Sequence, residues 1–183
     1  MQPTNKIAEE LTQLFNDRQF QKILEISTKN EINPSNEPNE AYIVAASLFQ
    51  IGKYDECLLW CESLAPAIGG DASFASMYGA VLRRLGKLTD AKHVFEEALN
   101  IHTSNNFLKN NYANLLTDLK EFDKAEKILV QILKSDPNYE DAKANLNRVN
   151  FQRSLISSAP DSVGIKNNAK NFENNKLIDP LAA

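Results

Sequence analysis

Three stretches, GKYDECLLWCESL (52–64), GKLTDAKHVFEEAL (86–99) and KEFDKAEKILVQIL (120–133), decide how this chain folds. Laid over one another they share a register of 34 residues. Gly52, Gly86 and Lys120 open them, then come Cys57, Ala91 and Ala125, then Cys61, Phe95 and Leu129. The register extends to Ala45, Gly79 and Ala113, to Leu48, Leu82 and Leu116, to Tyr54, Leu88 and Phe122, and to Leu64, Ala98 and Ile132. Small and large apolar residues at helical spacing inside a fixed period of this length mark stacked helix-turn-helix units. The small column at Ala45, Gly79 and Ala113 lets the first helix of a unit approach the second, and bulk added there overpacks the crossing at a cost of about 1–3 kcal/mol. The column at Tyr54, Leu88 and Phe122 follows the turn and plugs the gap between units. One unit alone leaves an apolar face in water, so stability comes from stacking.

These columns resemble the tetratricopeptide repeat, a 34-residue helix-turn-helix unit with small residues at its eighth and twentieth positions and a proline near its end. The resemblance is fullest over 72–105, through Tyr78-Gly79, Leu82, Gly86, Ala91, Phe95 and Ala98, with Thr103 in the proline's place. Unit 106–139 keeps the proline as Pro137 but carries Lys120 at the turn, and unit 38–71 has Gly69 where proline is usual. The same register outlines a degenerate unit at 4–37: Leu11, Leu14, Phe20 and Ile23 are in place, whereas Ser27 and Asn30 replace packing residues. Downstream, Ala142, Leu146, Val149, Arg153 and Ile156 describe a helix over 140–157 in which Asn147 fills a position that should be small. A large residue there stops another hairpin from nesting, so this helix is expected to cap the stack. The resemblance implies an all-α, right-handed superhelical solenoid over roughly residues 4–156. Residues 158–183 are rich in Ser and Asn and broken by Pro160, Gly164 and Pro180, which predicts a flexible tail. Its two apolar clusters, Ala169–Phe172 and Leu177–Ile178, are candidates for docking onto the groove or a partner.

Composition removes several function classes. At 183 residues, 43% hydrophobic and 24% charged, the chain has material for one core. Its N-terminus lacks the charged and apolar regions of a signal peptide, and no apolar run approaches a membrane span, so a cytoplasmic protein with no membrane partner is expected. A net charge of -4 offers no electrostatic footprint for nucleic acid. No phosphate loop, metal-ligand spacing or nucleophile elbow is present, which predicts no enzyme activity, no cofactor and no metal. Glu96, Glu97, Glu121 and Asp123 read as solvated helix faces. Cys57 and Cys61, four residues apart in CLLWCESL, invite a metal or redox reading, but both fall in core columns and the only histidines, His93 and His102, lie on another unit. Buried free cysteine behaves as a small hydrophobe, and packing is the expected role. Trp60 reads as packing of the second helix.

In the family it resembles, the first helices of successive units line a concave surface, and the second, fifth, ninth and twelfth positions touch a peptide. That implies a groove formed by Tyr42, Phe49, Ser76, Arg83, Phe107, Asn110, Asn114 and Thr117. Asn110 and Asn114, four apart, are placed to hydrogen-bond an extended ligand, and Arg83 is placed to take a partner carboxylate. The alternative reading packs Phe49 and Phe107 between repeats and leaves Arg83 with Arg84 as plain surface charge. The lysine-and-asparagine clamp that some relatives use for chaperone C-termini is missing: its slots hold Ala8 and Thr12, Tyr42 and Ala46, Ser76 and Ala80, then Asn110 and Asn114. The expected function is a non-catalytic scaffold or adaptor holding a protein or peptide partner. Two alternatives remain: the N-terminal module of a larger glycosyl-, sulfo- or methyltransferase, and, against the charge, an RNA-binding repeat. Self-association through an incompletely capped terminal repeat is a further expectation.

Overall fold

The four turns that set the period share one backbone conformation. Arg18, Gly52, Gly86 and Lys120, each 34 residues from the next, all sit in the left-handed region, at φ 58°, 77°, 74° and 61°. At each, the amide three residues past the end of the helix closes a six-residue loop. Gln19 N–H donates to the Leu14 carbonyl at 2.8 Å, Lys53 to Leu48 at 2.9 Å, Lys87 to Leu82 at 2.9 Å and Glu121 to Leu116 at 2.8 Å. This is the helix-ending pattern that satisfies orphan carbonyls and turns the chain sharply.

The computed structural model describes residues 3–158, and the tail expected over 158–183 lies, beyond Ser158, outside the described residues. Among the described residues the chain forms nine helices and no strand: α1 (Pro3–Asn16), α2 (Phe20–Lys29), α3 (Pro38–Gln50), α4 (Tyr54–Ile68), α5 (Ala72–Arg84), α6 (Leu88–Ile101), α7 (Asn106–Asp118), α8 (Phe122–Ser135) and α9 (Glu140–Ser158). The starts of α3, α5, α7 and α9 again differ by 34. Three of these starts have a local cause. Pro38 occupies the first turn of α3, the Asp71 carboxylate accepts from the Phe74 amide at 2.8 Å, and the Asn105 side chain accepts from the Leu108 amide at 2.9 Å.

Helices pair as α1/α2, α3/α4, α5/α6 and α7/α8, and each first helix also packs on the next first helix, out to α9 on α7. The result is an all-α superhelical stack. The core follows the repeated columns: Ala45, Ala113, Cys57, Ala91, Ala125, Cys61, Phe95 and Leu129 are all sealed from solvent, and Ala142 and Val149 of α9 close the last layer. Ser27 of the degenerate unit is buried as well, its hydroxyl donating to the Leu24 carbonyl at 2.9 Å. Aromatic pairs brace the first two turns, Phe15 with Phe20 at 5.4 Å and Phe49 with Tyr54 at 5.6 Å, both edge to face.

Gly79 is where the crossing is tightest. A Cβ built there would lie 2.6 Å from the ring of Phe95 in the second helix of the same unit, so Gly is required by volume rather than by φ.

The cysteines are packing residues. Cys57 Sγ donates to the Ala45 carbonyl at 3.1 Å across the crossing and lies 4.0 Å from Cys61 Sγ. Both are free and buried. The hydrogen bond to Cys57, then burial, pushes the Cys61 thiol well above its ordinary range, so a nucleophilic thiolate is disfavoured.

Glu96, Glu97 and Asp123 are exposed, as expected of a solvated face, whereas Glu121 is partly covered. Glu96 accepts from the Tyr112 hydroxyl at 2.7 Å and Glu97 pairs with His93 at 3.2 Å. Half-buried Glu121 takes Lys92 at 2.7 Å from the preceding unit and Lys124 from the first turn of α8, which it precedes. Hydrogen bonds from Lys124 and then Lys92 hold its carboxyl below the usual range. His102 is half-buried and shares a hydrogen bond of 2.8 Å with the Gly70 carbonyl, joining two units.

Candidate partner-binding groove

Because side chains of an α-helix three and four apart share a face, Tyr42, Ala46 and Phe49 form one stripe of α3, and Ser76, Ala80 and Arg83 form the equivalent stripe of α5. With Phe15 of α1 and Phe107, Asn111 and Asn114 of α7 they line a groove of about 550 Å³. Every lining residue lies on α1, α3, α5 or α7, so the groove belongs to the first-helix face.

Six of the eight residues expected at the groove are brought together there: Tyr42, Phe49, Ser76, Arg83, Phe107 and Asn114. Phe107 stands 52% exposed, whereas Ser76 contributes to the floor, its hydroxyl accepting from Asn111 Nδ2 at 2.5 Å. Burial first, then the nearby Asp71 charge, raises the Tyr42 phenol, which stays a neutral O–H donor.

Asn110 and Thr117 do not line this groove. Asn110 is 4% exposed, and its Oδ1 accepts from Asn145 Nδ2 of α9 at 2.9 Å, so that side of its amide is not offered to a ligand. Thr117 is 2% exposed and donates to the Ala113 carbonyl one turn back at 2.7 Å. Asn114 lines the groove, but its Oδ1 accepts from Arg148 Nη1 at 3.2 Å. Arg83, placed for a partner carboxylate, already meets an internal one: its Nη1 donates to Asp118 Oδ2 at 2.6 Å, while Asp118 Oδ1 accepts from Arg148 Nη2.

These bonds form a ladder between neighbouring first helices. Ser76 with Asn111, Asn110 with Asn145 and Arg83 with Asp118 are each 35 residues apart, and Asn114 with Arg148 is 34 apart. Sequence reasoning missed Phe15, Gln50, Ser73, Met77, Arg84 and Asn111 in the lining, and named Ala46 and Ala80 only as clamp slots. Phe15 was available from the register, since it stands 34 residues before Phe49 in the degenerate unit. Asn111, one position after the fifth, has no signal in a single unit and becomes visible only as the partner of Ser76 in the unit before it. No lysine lines the groove, in keeping with the empty clamp slots.

Comparison with known proteins follows the architecture. Residues 82–147 match the tetratricopeptide repeat family. Among curated protein sequences none matches significantly. Among solved structures, the chain is similar to the MamA protein at 11% identity and a TM-score of 0.65, with 84% of each chain covered. A tetratricopeptide repeat protein from Parabacteroides merdae matches at 13% identity and a TM-score of 0.65, over 84% of this chain and 61% of that one. The first repeat domain of Spaghetti (RPAP3), solved with the HSP90 peptide SRMEEVD, matches at 20% identity and a TM-score of 0.54, over 61% of this chain and 87% of that one.

Proposed function

We propose that this chain, built of tetratricopeptide repeats, is a non-catalytic interaction scaffold that holds a segment of another protein in the groove of its first helices. The observation that carries the reading is the convergence of four helices on one open groove, aromatic at one end, flanked by arginines and free of carboxylates. An extended or helical segment can lay apolar side chains against Phe15, Tyr42 and Phe49 while its polar groups meet the arginines and amides opposite. The similarity to a repeat domain solved with a bound HSP90 peptide supports a peptide ligand in kind. The missing lysine argues against that particular peptide, whose C-terminal carboxylate needs a cation that none of the clamp slots supplies.

The test is a pull-down from the source lysate with the wild-type chain and with Ala46→Glu, which plants a charged side chain in the groove wall. Circular dichroism confirms that both are folded. Proteins captured by the wild type and lost with the variant are expected. The same proteins on both baits would refute the groove as the working surface.

A further inference from the structure

The charge of the groove runs against the charge of the chain. Asp and Glu outnumber Lys and Arg by 24 to 20, yet the lining carries Arg83 and Arg84 and no carboxylate. Arg84 is exposed and makes no ion pair among the described residues. Arg83 gives one of its five N–H donors to Asp118. Among the described residues no buried side-chain nitrogen lacks a partner, so the remaining donors of Arg83 reach solvent. A second acceptor can therefore approach this guanidinium without displacing the first.

We infer that the groove takes a peptide segment with side-chain carboxylates beside a large apolar residue, and that Asp118 is the internal carboxylate with which it competes. The inference rests on the groove reading above and specifies its ligand. The apolar residue lies against Phe15, Tyr42 and Phe49, and the acids meet Arg83 and Arg84 as charge-assisted hydrogen bonds. Asp118 holds Arg83 and Arg148 in place when the groove is empty, and its charge cancels part of the field a ligand acid would feel. The chain therefore selects segments with more than one acid near the apolar anchor. A polynucleotide fits less well, because its affinity grows with the number of phosphates neutralised and the lining offers two cations.

The test selects displayed random peptides on the full chain, then measures synthetic fluorescein-labelled copies of the enriched sequences by anisotropy at low and high salt. Asp and Glu are expected beside Phe, Trp or Leu. Replacing those acids with their amides, or Arg84→Ala in the protein, should weaken binding about tenfold, the scale of one charge-assisted bond. Asp118→Asn, checked for fold, should tighten binding severalfold at low salt. Enriched peptides that need the groove, being lost on Ala46→Glu, but show no excess of acids would overturn this inference and leave the groove reading standing. Peptides that bind Ala46→Glu equally well, or no enrichment at all, would overturn both. Tighter, competing binding of a mixed-sequence single-stranded RNA would assign the cations to a polynucleotide instead. Tighter binding of a synthetic peptide of residues 159–183 would make the chain its own ligand, against a partner in trans.

Discussion

Gly79→Ala isolates the contact on which the helix crossing depends. The added methyl carbon would sit 2.6 Å from both Cε2 and Cζ of Phe95 and 3.0 Å from Cδ2. Ordinary contact begins near 3.4 Å, a shortfall of about 0.8 Å. The ring has no room to yield: Phe95 is 0% exposed, and Tyr112 lies behind it at a centroid distance of 6.0 Å, held by its hydroxyl on Glu96. Overpacking of this kind costs about 1–3 kcal/mol, and replacing a mid-helix glycine by alanine returns about 1 kcal/mol of propensity. With a clash this close the net loss should be about 1–2 kcal/mol, a fall of roughly 2–8 °C in Tm for a chain of this size. Urea denaturation followed by circular dichroism measures it. The neighbouring units show how the clash is relieved, since Ala45 shares its register with Cys61 and Ala113 with Leu129. Gly79→Ala combined with Phe95→Leu should therefore lose less than the sum of the single changes, by about 1 kcal/mol. Wild-type stability in Gly79→Ala, or additivity in the cycle, would refute the reasoning.

At the turn, Lys120→Gly should stabilise by about 0.5–1 kcal/mol, because Lys120 holds φ 61° where glycine pays no Cβ penalty. Gly86→Ala should lose about 1 kcal/mol by the same backbone effect, since nothing lies within 4 Å of a Cβ there; a denaturation midpoint moving the opposite way in either variant would sink this account. Cys57 and Cys61 should resist a thiol reagent such as dithionitrobenzoate at neutral pH in the native chain and react together once it is unfolded, and fast native labelling would contradict their packing role. Glu121 gives a pH dependence. Its folded-state carboxyl is lowered, so its contribution is full above the unfolded value of 4.5 and is lost as pH falls through the lower folded value. Glu121→Gln should flatten the acid limb of a stability profile below that value, by no more than about 1 kcal/mol for ion pairs that solvent still reaches. An unchanged acid limb would show that the Lys92 and Lys124 bonds carry no net stability.

The columns of the fold were legible because each is a matter of volume, and volume recurs at a fixed period: the small residue at 45, 79 and 113 can be read without coordinates. The groove was less so, because exposure on a stacked face is set by pairs of adjacent units. Ser76 and Asn110 share the fifth position of their units, and both are covered by an asparagine one position further along the next unit, Asn111 and Asn145. Neither unit signals this alone. The polar pairs at an offset of 35 residues, Arg83 with Asp118 among them, carry that information, but only once the first helices are known to lie side by side. Phe15 was lost for a different reason: the wear of its unit is concentrated at the end of the second helix, at Ser27 and at the C-cap Asn30, while the first helix keeps both its core and its groove residue.

Helix α9 packs on the last described helix pair and also extends the face formed by the first helices. Its 19 residues exceed the 13 of α3, α5 and α7, and it begins in their register. On one side Ala142 and Val149 seal the core over α7 and α8, and Arg153 fastens its second half to Asp123 at 3.0 Å and Glu126 at 2.8 Å. Asn147, where a further hairpin would need a small residue, stays exposed. On the side continuous with the other first helices, Arg148 reaches Asn114 and Asp118. It thereby fixes the carboxylate that in turn holds Arg83 at the groove. A helix that only covered apolar surface would need none of these polar contacts, since burial of Ala142 and Val149 is indifferent to what lies opposite. The Arg83–Asp118–Arg148 chain therefore couples α9 to α5 through α7, and the electrostatics of the groove are set in part by a helix that lines none of it.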